Sequence, residues 1–210
     1  MLSLSPTLVL VGLTCAISMY AWSNHQLFDS WILEPYRVKR NNDYYRFITS
    51  GFLHADWGHL LFNMLAFYSF SLVVESVFRG EFGSTTGVLY FLLLYLGGIV
   101  VSDIPTYLRH RDDPNYRSLG ASGGVASVIF AAIVINPIGG IRIFPIPIEI
   151  PGFIFGFLYL AYSYYMGRRR GDNINHDAHF YGALYGVIVT LALLPQAGPL
   201  FFDQISAYIN

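Results

Sequence analysis

The stretch GASGGVASVIFAAIVINP, residues 120–137, decides what kind of fold this chain can have. It is apolar throughout, opens with three glycines around Ser122, and closes at Asn136-Pro137, where the residue before proline disfavours the helical conformation. A helix from Ser122 to Ile135 spans only about 21 Å at 1.5 Å per residue. A bilayer core is about 30 Å thick. In a membrane, the glycine-rich start of this helix therefore lies inside, against protein or a water-filled cavity.

Five further charge-free stretches surround this one, and each is at least 18 residues long: Met1–Phe28, Trp57–Val74, Phe82–Ser102, Ile150–Gly167 and Ala178–Phe202. Hydrophobic residues make up 54% of the 210 residues and charged residues only 12%, about half the usual share of roughly 25% in soluble domains. Apolar runs of about 20 residues are typical of transmembrane helices. The sequence predicts an all-α membrane protein, with one domain over residues 1–210 and six transmembrane helices at about 7–22, 57–77, 87–102, 122–135, 152–166 and 178–195.

The composition also excludes some classes of function. A net charge of -1 without a dense basic patch gives no reason to expect a nucleic-acid partner. Cys15 is the only cysteine, so no disulfide framework and no cysteine metal cluster is expected. The first residues lack the basic start of a secretory signal, so we expect the first helix to remain in the mature protein.

The connections between the helices carry the polar residues. The long segment 23–56 is rich in aromatic residues, which favour a membrane interface, and Asp56 is a predicted N-cap for the second helix. The segment 103–117 holds six charged residues and is predicted to be a loop in water. The segment 142–151 contains Pro145, Pro147 and Pro151 and is predicted to be a non-helical connector.

Ser122 is the first candidate for chemistry. At a helix N-terminus it lies among free N–H groups and at the positive end of the helix dipole, which can stabilise an oxyanion. The competing interpretation is packing, because Gly, Ala and Ser let membrane helices approach closely.

His179 is the second candidate. It begins the sixth predicted helix beside a face of small residues, Ala178, Gly182 and Gly186, which can press against a neighbouring helix. If that neighbour is the glycine-rich fourth helix, the imidazole can act as general base for the Ser122 hydroxyl. An interfacial histidine reaching for water, next to His176 and Asp177, is the alternative.

His54, His59 and Asn63 form the third set. His59 and Asn63 are four residues apart and share one face of the second helix, and His54 lies in the loop before it. Metal binding is a rival interpretation, but the His-Glu-x-x-His pattern is absent and no further ligand is evident. Two side-chain N–H donors pointing the same way could equally form an oxyanion hole.

Taken together, these motifs resemble the rhomboid family. Gly120-Ala121-Ser122-Gly123 resembles its Gly-x-Ser-Gly signature in the fourth helix, and residues 178–186 resemble its Ala-His-x-x-Gly-x-x-x-Gly in the sixth. Residues 54–63 match its His-x-x-x-x-His-x-x-x-Asn motif. Tyr45-Arg46 stands where the family often has Trp-Arg, and Glu75 where it has a glutamate late in the second helix. The resemblance runs from about residue 7 to 195.

The resemblance implies an intramembrane serine endopeptidase with a Ser–His dyad and without metal or cofactor. Its substrates would be transmembrane segments of other membrane proteins in the lipid bilayer, with the bacterial inner membrane as the expected location. Ser122 would be the nucleophile and His179 the base. The oxyanion hole would consist of His54, Asn63 and the Ser122 N–H. The supporting residues would be His59, Gly120, Gly123, Gly182, Gly186, Arg46 and Glu75.

One position departs from the family pattern. Many rhomboids have an aromatic residue four positions after the serine that packs on the histidine, and this chain has Ala126 there. An aromatic residue of the fifth helix, such as Tyr164, is a candidate substitute. The alternatives to a protease are a catalytically inactive rhomboid-like chaperone or quality-control protein and a small transporter or channel.

The basic residues conflict with the orientation that the resemblance implies. Rhomboids with six helices usually have a cytoplasmic N-terminus and an active site open to the opposite side. In that arrangement, ten of the twelve basic residues fall in external connections. The positive-inside rule would place them in the cytoplasm.

Overall fold

The computed structural model describes residues 5–142, 148–169 and 174–210. These ranges contain ten α-helices, one short 3-10 helix and one two-stranded hairpin. In chain order they are α1 (Pro6–Ser23), α2 (His25–Trp31), α3 (Pro35–Asn41), α4 (Arg46–Thr49), the 3-10 helix (Ser50–Phe52), α5 (Trp57–Phe82), α6 (Ser84–His110), α7 (Ser122–Ile135), β1 (Gly140–Arg142), β2 (Glu149–Pro151), α8 (Gly152–Arg169), α9 (His176–Leu193) and α10 (Ala197–Ile209).

The prediction of six transmembrane helices is met in part. Within the described ranges, α1, α5 and α6 are long and apolar enough to cross a membrane. The pair α9 and α10 would add a fourth span if joined, although a bend of 108° separates the two helices. Helix α7 is a shorter apolar helix with the predicted bounds. Helix α8 lies where the fifth helix was predicted but is not among these candidates.

Three predicted boundaries were wrong at α5 and α6. Helix α5 continues to Phe82 and α6 begins at Ser84, so only Gly83, at a φ of 80°, separates them. Helix α6 also runs to His110, through Pro105 and through half of the segment predicted as a loop. Asp103 is buried and accepts a hydrogen bond from Asn175. The charge of Asp103 therefore faces protein rather than bulk water, which the count of charges could not reveal.

The connections hold more structure than the sequence predicted. The segment before α5 forms three short helices and the 3-10 helix, and Asp56 caps α5 by accepting from the His59 N–H at 2.8 Å. Strands β1 and β2 pair antiparallel, with Ile141 opposite Ile150. Pro145 and Pro147 of the predicted connector lie outside the described residues.

Helix α7 forms the centre of the bundle. Every residue from Gly123 to Val134 is buried, because α5, α6 and α9 all pack against this helix. The Ser127 hydroxyl donates to the carbonyl of Leu94 on α6 at 2.9 Å. The short helix is thus enclosed by protein, as its length and glycine content predict.

Helix α10 was not predicted. It follows the sharp bend after α9, and the Gln204 side-chain amide donates to the carbonyl of Ile135, the last residue of α7, at 3.3 Å. This bond satisfies one of the free carbonyl groups that every helix C-terminus leaves.

Candidate active site

Ser122 is the first residue of α7, and the segment before it is anchored on both sides. Ser118 exchanges two backbone hydrogen bonds of 3.0 Å with Leu33, and the Gly120 N–H donates to the Ser50 carbonyl at 3.0 Å. Gly120 has a φ of 120°, a conformation that side chains other than glycine rarely adopt. Ser122 itself is half-buried. Its hydroxyl is thus held at a helix N-terminus whose first N–H groups have no intrahelical acceptor.

The face of small residues on α9 packs against α7. A methyl group added to Gly182 would overlap the carbonyl oxygen of Gly123, and one added to Gly186 would overlap that of Ser127. Both contacts advance by four residues in the same direction, so the two helices run parallel and almost backbone to backbone. His179 lies about one turn before Gly182 on the same helix, and we therefore expect it near the start of α7. This is the neighbour that a Ser–His arrangement requires.

The ring next to His179 comes from α8. Tyr159 stacks on the imidazole with a centroid distance of 6.0 Å and an interplanar angle of 25°, and His176 contacts it edge-on at 5.7 Å. Ala126 is buried and offers no ring. Tyr164, which the sequence suggested for this role, packs on Phe180 instead. The fifth predicted helix does supply the aromatic residue, but it is Tyr159, five residues before Tyr164.

His59 and Asn63 lie on α5 close to the serine segment. A side chain at Gly120 would lie only 2.8 Å from Cε1 and Nε2 of His59, so glycine lets this imidazole touch the backbone. The Nδ1 atom of His59 accepts from the Ala55 N–H at 3.4 Å, which leaves the proton of a neutral ring on Nε2. The Asn63 amide donates one N–H to the His59 carbonyl at 2.9 Å and has a second one to offer.

His54 occupies a different environment. It is fully buried, and its Nδ1 lies 3.0 Å from the Ser18 hydroxyl, which donates to the Phe52 carbonyl at 2.8 Å. The Nε2 atom has no hydrogen-bond partner among the described residues. Burial, and to a smaller extent the neighbouring His59, lowers the pKa of His54 from 6.5 to about 3.

The environment of His54 favours a different division of roles between the two histidines from the predicted one. When the Ser18 hydroxyl donates to the Phe52 carbonyl, it can accept only the Nδ1 proton of neutral His54, and in that tautomer Nε2 is an acceptor. An oxyanion hole needs donors. Of the two imidazoles, that of His59 presents an N–H beside the serine segment, while that of His54 packs edge-on behind it at 4.9 Å.

Arg46 and Glu75, predicted as supporting residues, hold loops and helix ends. Arg46 is fully buried and donates to the carbonyls of Asp29 and Ile32, at 3.0 and 2.6 Å. Glu75 accepts from the Thr7 hydroxyl at 2.8 Å and thereby holds the start of α1 against α5. Neither contact involves Ser122 or His179.

Sequence reasoning missed Asn175, the N-cap of α9. Its amide oxygen accepts from the Ala178 N–H and the Thr106 hydroxyl, both at 3.1 Å. Its amide nitrogen donates to Asp103 at 3.3 Å and to the Ser118 hydroxyl at 3.2 Å. An asparagine four residues before the histidine is a recognisable cap signal, but nothing in the sequence indicates its partners on α6.

Within the described residues, no group of three His, Cys, Asp or Glu side chains is arranged to hold a metal ion.

Comparison with known proteins agrees with these motifs. The sequence model of the Rhomboid domain matches residues 41–196. Over 85 residues the chain is 34% identical to the putative rhomboid protease YdcA of Bacillus subtilis (strain 168), covering 40% of this chain and 38% of that protein. It is 27% identical to the mitochondrial RHOMBOID-like protein 12 of Arabidopsis thaliana, over 67% of this chain and 44% of the relative.

A third relative, Rhomboid-related protein 1 of Caenorhabditis elegans, is 26% identical over 89% of this chain and 49% of its own length. The chain therefore spans less than half the length of each of these three relatives. The match to the family model covers most of the chain and includes Ser122, His179, His59 and Asn63. The chain belongs to the rhomboid family of membrane proteins.

Proposed function

We propose that the protein is an intramembrane serine protease that cleaves transmembrane segments of other membrane proteins. The observation that carries the proposal is the packing of Gly182 on Gly123 and of Gly186 on Ser127. This packing brings the turn of α9 that bears His179 to the N-terminus of α7, where Ser122 lies. A nucleophile and a base on facing helix turns are the minimum that acyl transfer needs.

In the proposed reaction, His179 takes the proton of the Ser122 hydroxyl while the oxygen attacks the scissile carbonyl carbon. The negative charge on the carbonyl oxygen is stabilised by the Ser122 N–H, the His59 Nε2–H and the free N–H of Asn63. Imidazolium then gives its proton to the leaving amine, and the C–N bond breaks. Water, deprotonated by the same histidine, hydrolyses the acyl-enzyme and regenerates Ser122.

The oxyanion hole proposed here replaces His54 with His59. Support comes from the contact of His59 with Gly120 and from the burial of His54 against Ser18. Tyr159 is proposed to orient His179, in the place of the ring that Ala126 does not supply.

Cleavage of a transmembrane peptide by the purified protein tests the proposal. We expect wild type to cleave and to react with a serine-directed fluorophosphonate. Ser122→Ala should be inactive at unchanged stability, because Ser122 is half-buried and a small residue replaces it. His179→Ala should also be inactive. Residual cleavage of a tenth of wild type by Ser122→Ala would contradict the assignment of the nucleophile.

We also propose that the protein lies in the bacterial inner membrane with the N-terminus in the cytoplasm and Ser122 opening to the other side. The charge distribution opposes this orientation, but acidic partners hold several of the basic residues in place. Lys39 pairs with Asp112 at 2.5 Å, and Arg109 pairs with Asp177. These acidic partners offset part of the positive charge on that side of the membrane.

Cysteine labelling in intact cells tests the orientation. Asn115→Cys and Gly80→Cys would be introduced separately in a Cys15→Ser background and exposed to a membrane-impermeant thiol reagent. Both positions are exposed, so accessibility depends on the side of the membrane. We expect labelling at 115 only, and labelling at 80 alone would invert the orientation.

A further inference from the structure

Asn175 contacts both the segment that precedes Ser122 and the helix turn that bears His179. Its side chain makes four hydrogen bonds and uses both lone pairs and both N–H groups of the amide. Two of these bonds go to α6, one to the start of α9, and one to the segment that precedes Ser122.

Each bond of Asn175 fixes a different degree of freedom. The bond to the Ala178 N–H caps α9 and sets where the helix begins, one turn before His179. The bonds to Asp103 and Thr106 hold this end of α9 against α6. The bond to Ser118 links it to a segment that the backbone of Leu33 holds from the opposite side.

We propose that Asn175 is a positioning residue that sets the distance between His179 and Ser122. The inference rests on the proposed function, since it assigns a role in the same dyad. Capping alone does not require asparagine, because aspartate and serine cap helices equally well. What only the amide provides here is two donors, one for Asp103 and one for Ser118, together with the acceptor for the cap.

The substitution Asn175→Asp separates the two roles. It keeps the shape and both acceptors, so the cap and the bond from Thr106 remain, but it removes both donors and places a second carboxyl beside Asp103. A displacement of about 1 Å in a catalytic pair can cost about 100-fold in rate. We therefore expect kcat of Asn175→Asp to fall at least tenfold, while KM for the transmembrane peptide stays unchanged.

The double variant Asp103→Asn with Asn175→Asp is the rescue. It restores one amide–carboxyl hydrogen bond between the same two positions with donor and acceptor exchanged. We expect it to recover most of the lost kcat, although the bond to Ser118 stays absent. Asn24→Asp is the matched control, because Asn24 caps α2 in the same way and lies in another part of the chain. Its kcat should equal that of wild type.

The outcomes are distinguishable. Wild-type kcat for Asn175→Asp, measured on a preparation in which Ser122→Ala is inactive, would overturn the positioning role and leave the proposed function standing. A kcat that falls only in proportion to the folded fraction, and that equals the wild-type value below the unfolding transition, would also overturn it, since Asn175 would then serve stability alone. An inactive wild-type protein that does not react with fluorophosphonate would instead refute the proposed function.

Discussion

Helices α7 and α8 both contribute to the candidate site, but they are held in opposite ways. In α7, twelve consecutive residues are buried, and glycines bring its backbone against α6 and α9. In α8, only Gly152, Gly156 and Ser163 are buried among 18 residues. The candidate nucleophile and base thus stand on tightly packed helices, whereas the ring that stacks on His179 comes from a helix with few buried residues. We therefore expect the positions of Ser122 and His179 to be more tightly constrained than that of Tyr159.

The contact between α7 and α9 should not tolerate a larger side chain at Gly182. Gly182→Leu would drive a side chain into the Gly123 backbone, separate α9 from α7, and lower activity at least 100-fold. Even Gly182→Ala should cost about 1–3 kcal/mol of stability by overpacking. Thermal unfolding and peptide cleavage, measured in the same micelles, check both effects.

Gly156→Ala on α8 is the matched control for Gly182→Ala. The added methyl group would lie 3.4 Å from Ile133 and Phe130, an ordinary contact distance. We expect stability within about 0.5 kcal/mol of wild type and full activity. Equal effects of the two alanines would mean that the two helices are not held differently.

The amino-acid sequence predicts the contact between α7 and α9 well and the contribution of α8 poorly. Small residues four apart identify the α7–α9 contact, because only close backbone approach explains them, and the bounds of α7 follow from glycine and proline. The role of Tyr159 could not be predicted, since α8 has many aromatic residues and only the rotation of the helix decides which one meets His179. The sequence could not decide between His54 and His59 as the candidate oxyanion donor for a similar reason. Both fit the motif, and only the contact of α1 through Ser18 shows which imidazole is buried.

The second prediction compares the two histidines. His59→Ala should lower kcat about 100-fold, because it removes one oxyanion donor and leaves the Ser122 N–H and Asn63. His54→Ala should mainly lower the thermal midpoint, because it deletes a fully buried ring that contacts α1. Turnover at saturating substrate, measured below the unfolding transition, distinguishes them. A larger loss of kcat in His54→Ala would restore the original assignment.

The third prediction concerns the aromatic residues of α8. Tyr159→Leu should lower kcat about tenfold, which corresponds to about 1.4 kcal/mol, because it removes the stacked ring but keeps an apolar side chain. Tyr159→Phe should retain full activity, since the ring rather than the hydroxyl contacts His179. Tyr164→Leu, on the same helix, is the control and should behave as wild type. Loss of activity in the control alone would show that Tyr164 orients the base.

The smallest effect should be one on pH dependence, with no change in kcat at neutral pH. The folded pKa of His54 is about 3, well below its ordinary value of 6.5. Below about pH 6.5 the unfolded chain therefore binds a proton that the folded protein does not, and stability falls as pH is lowered towards 3. Between pH 7.5 and 5.5 this loss amounts to about 1.4 kcal/mol. The thermal midpoint of His54→Gln should fall less over this range than that of wild type.

The link between Gln204 and the end of α7 has a consequence for where a substrate would be cut. Helix α10 turns by 108° from α9 and exposes Phe202 and Tyr208, side chains suited to a membrane surface. If α10 lies on that surface, Ser122 is about 21 Å from it, which is the length of α7. A thicker bilayer would add lipid only on the far side of the serine. For each 3 Å of added thickness, the cleavage site would move about two residues along a helical substrate, counted from the far surface.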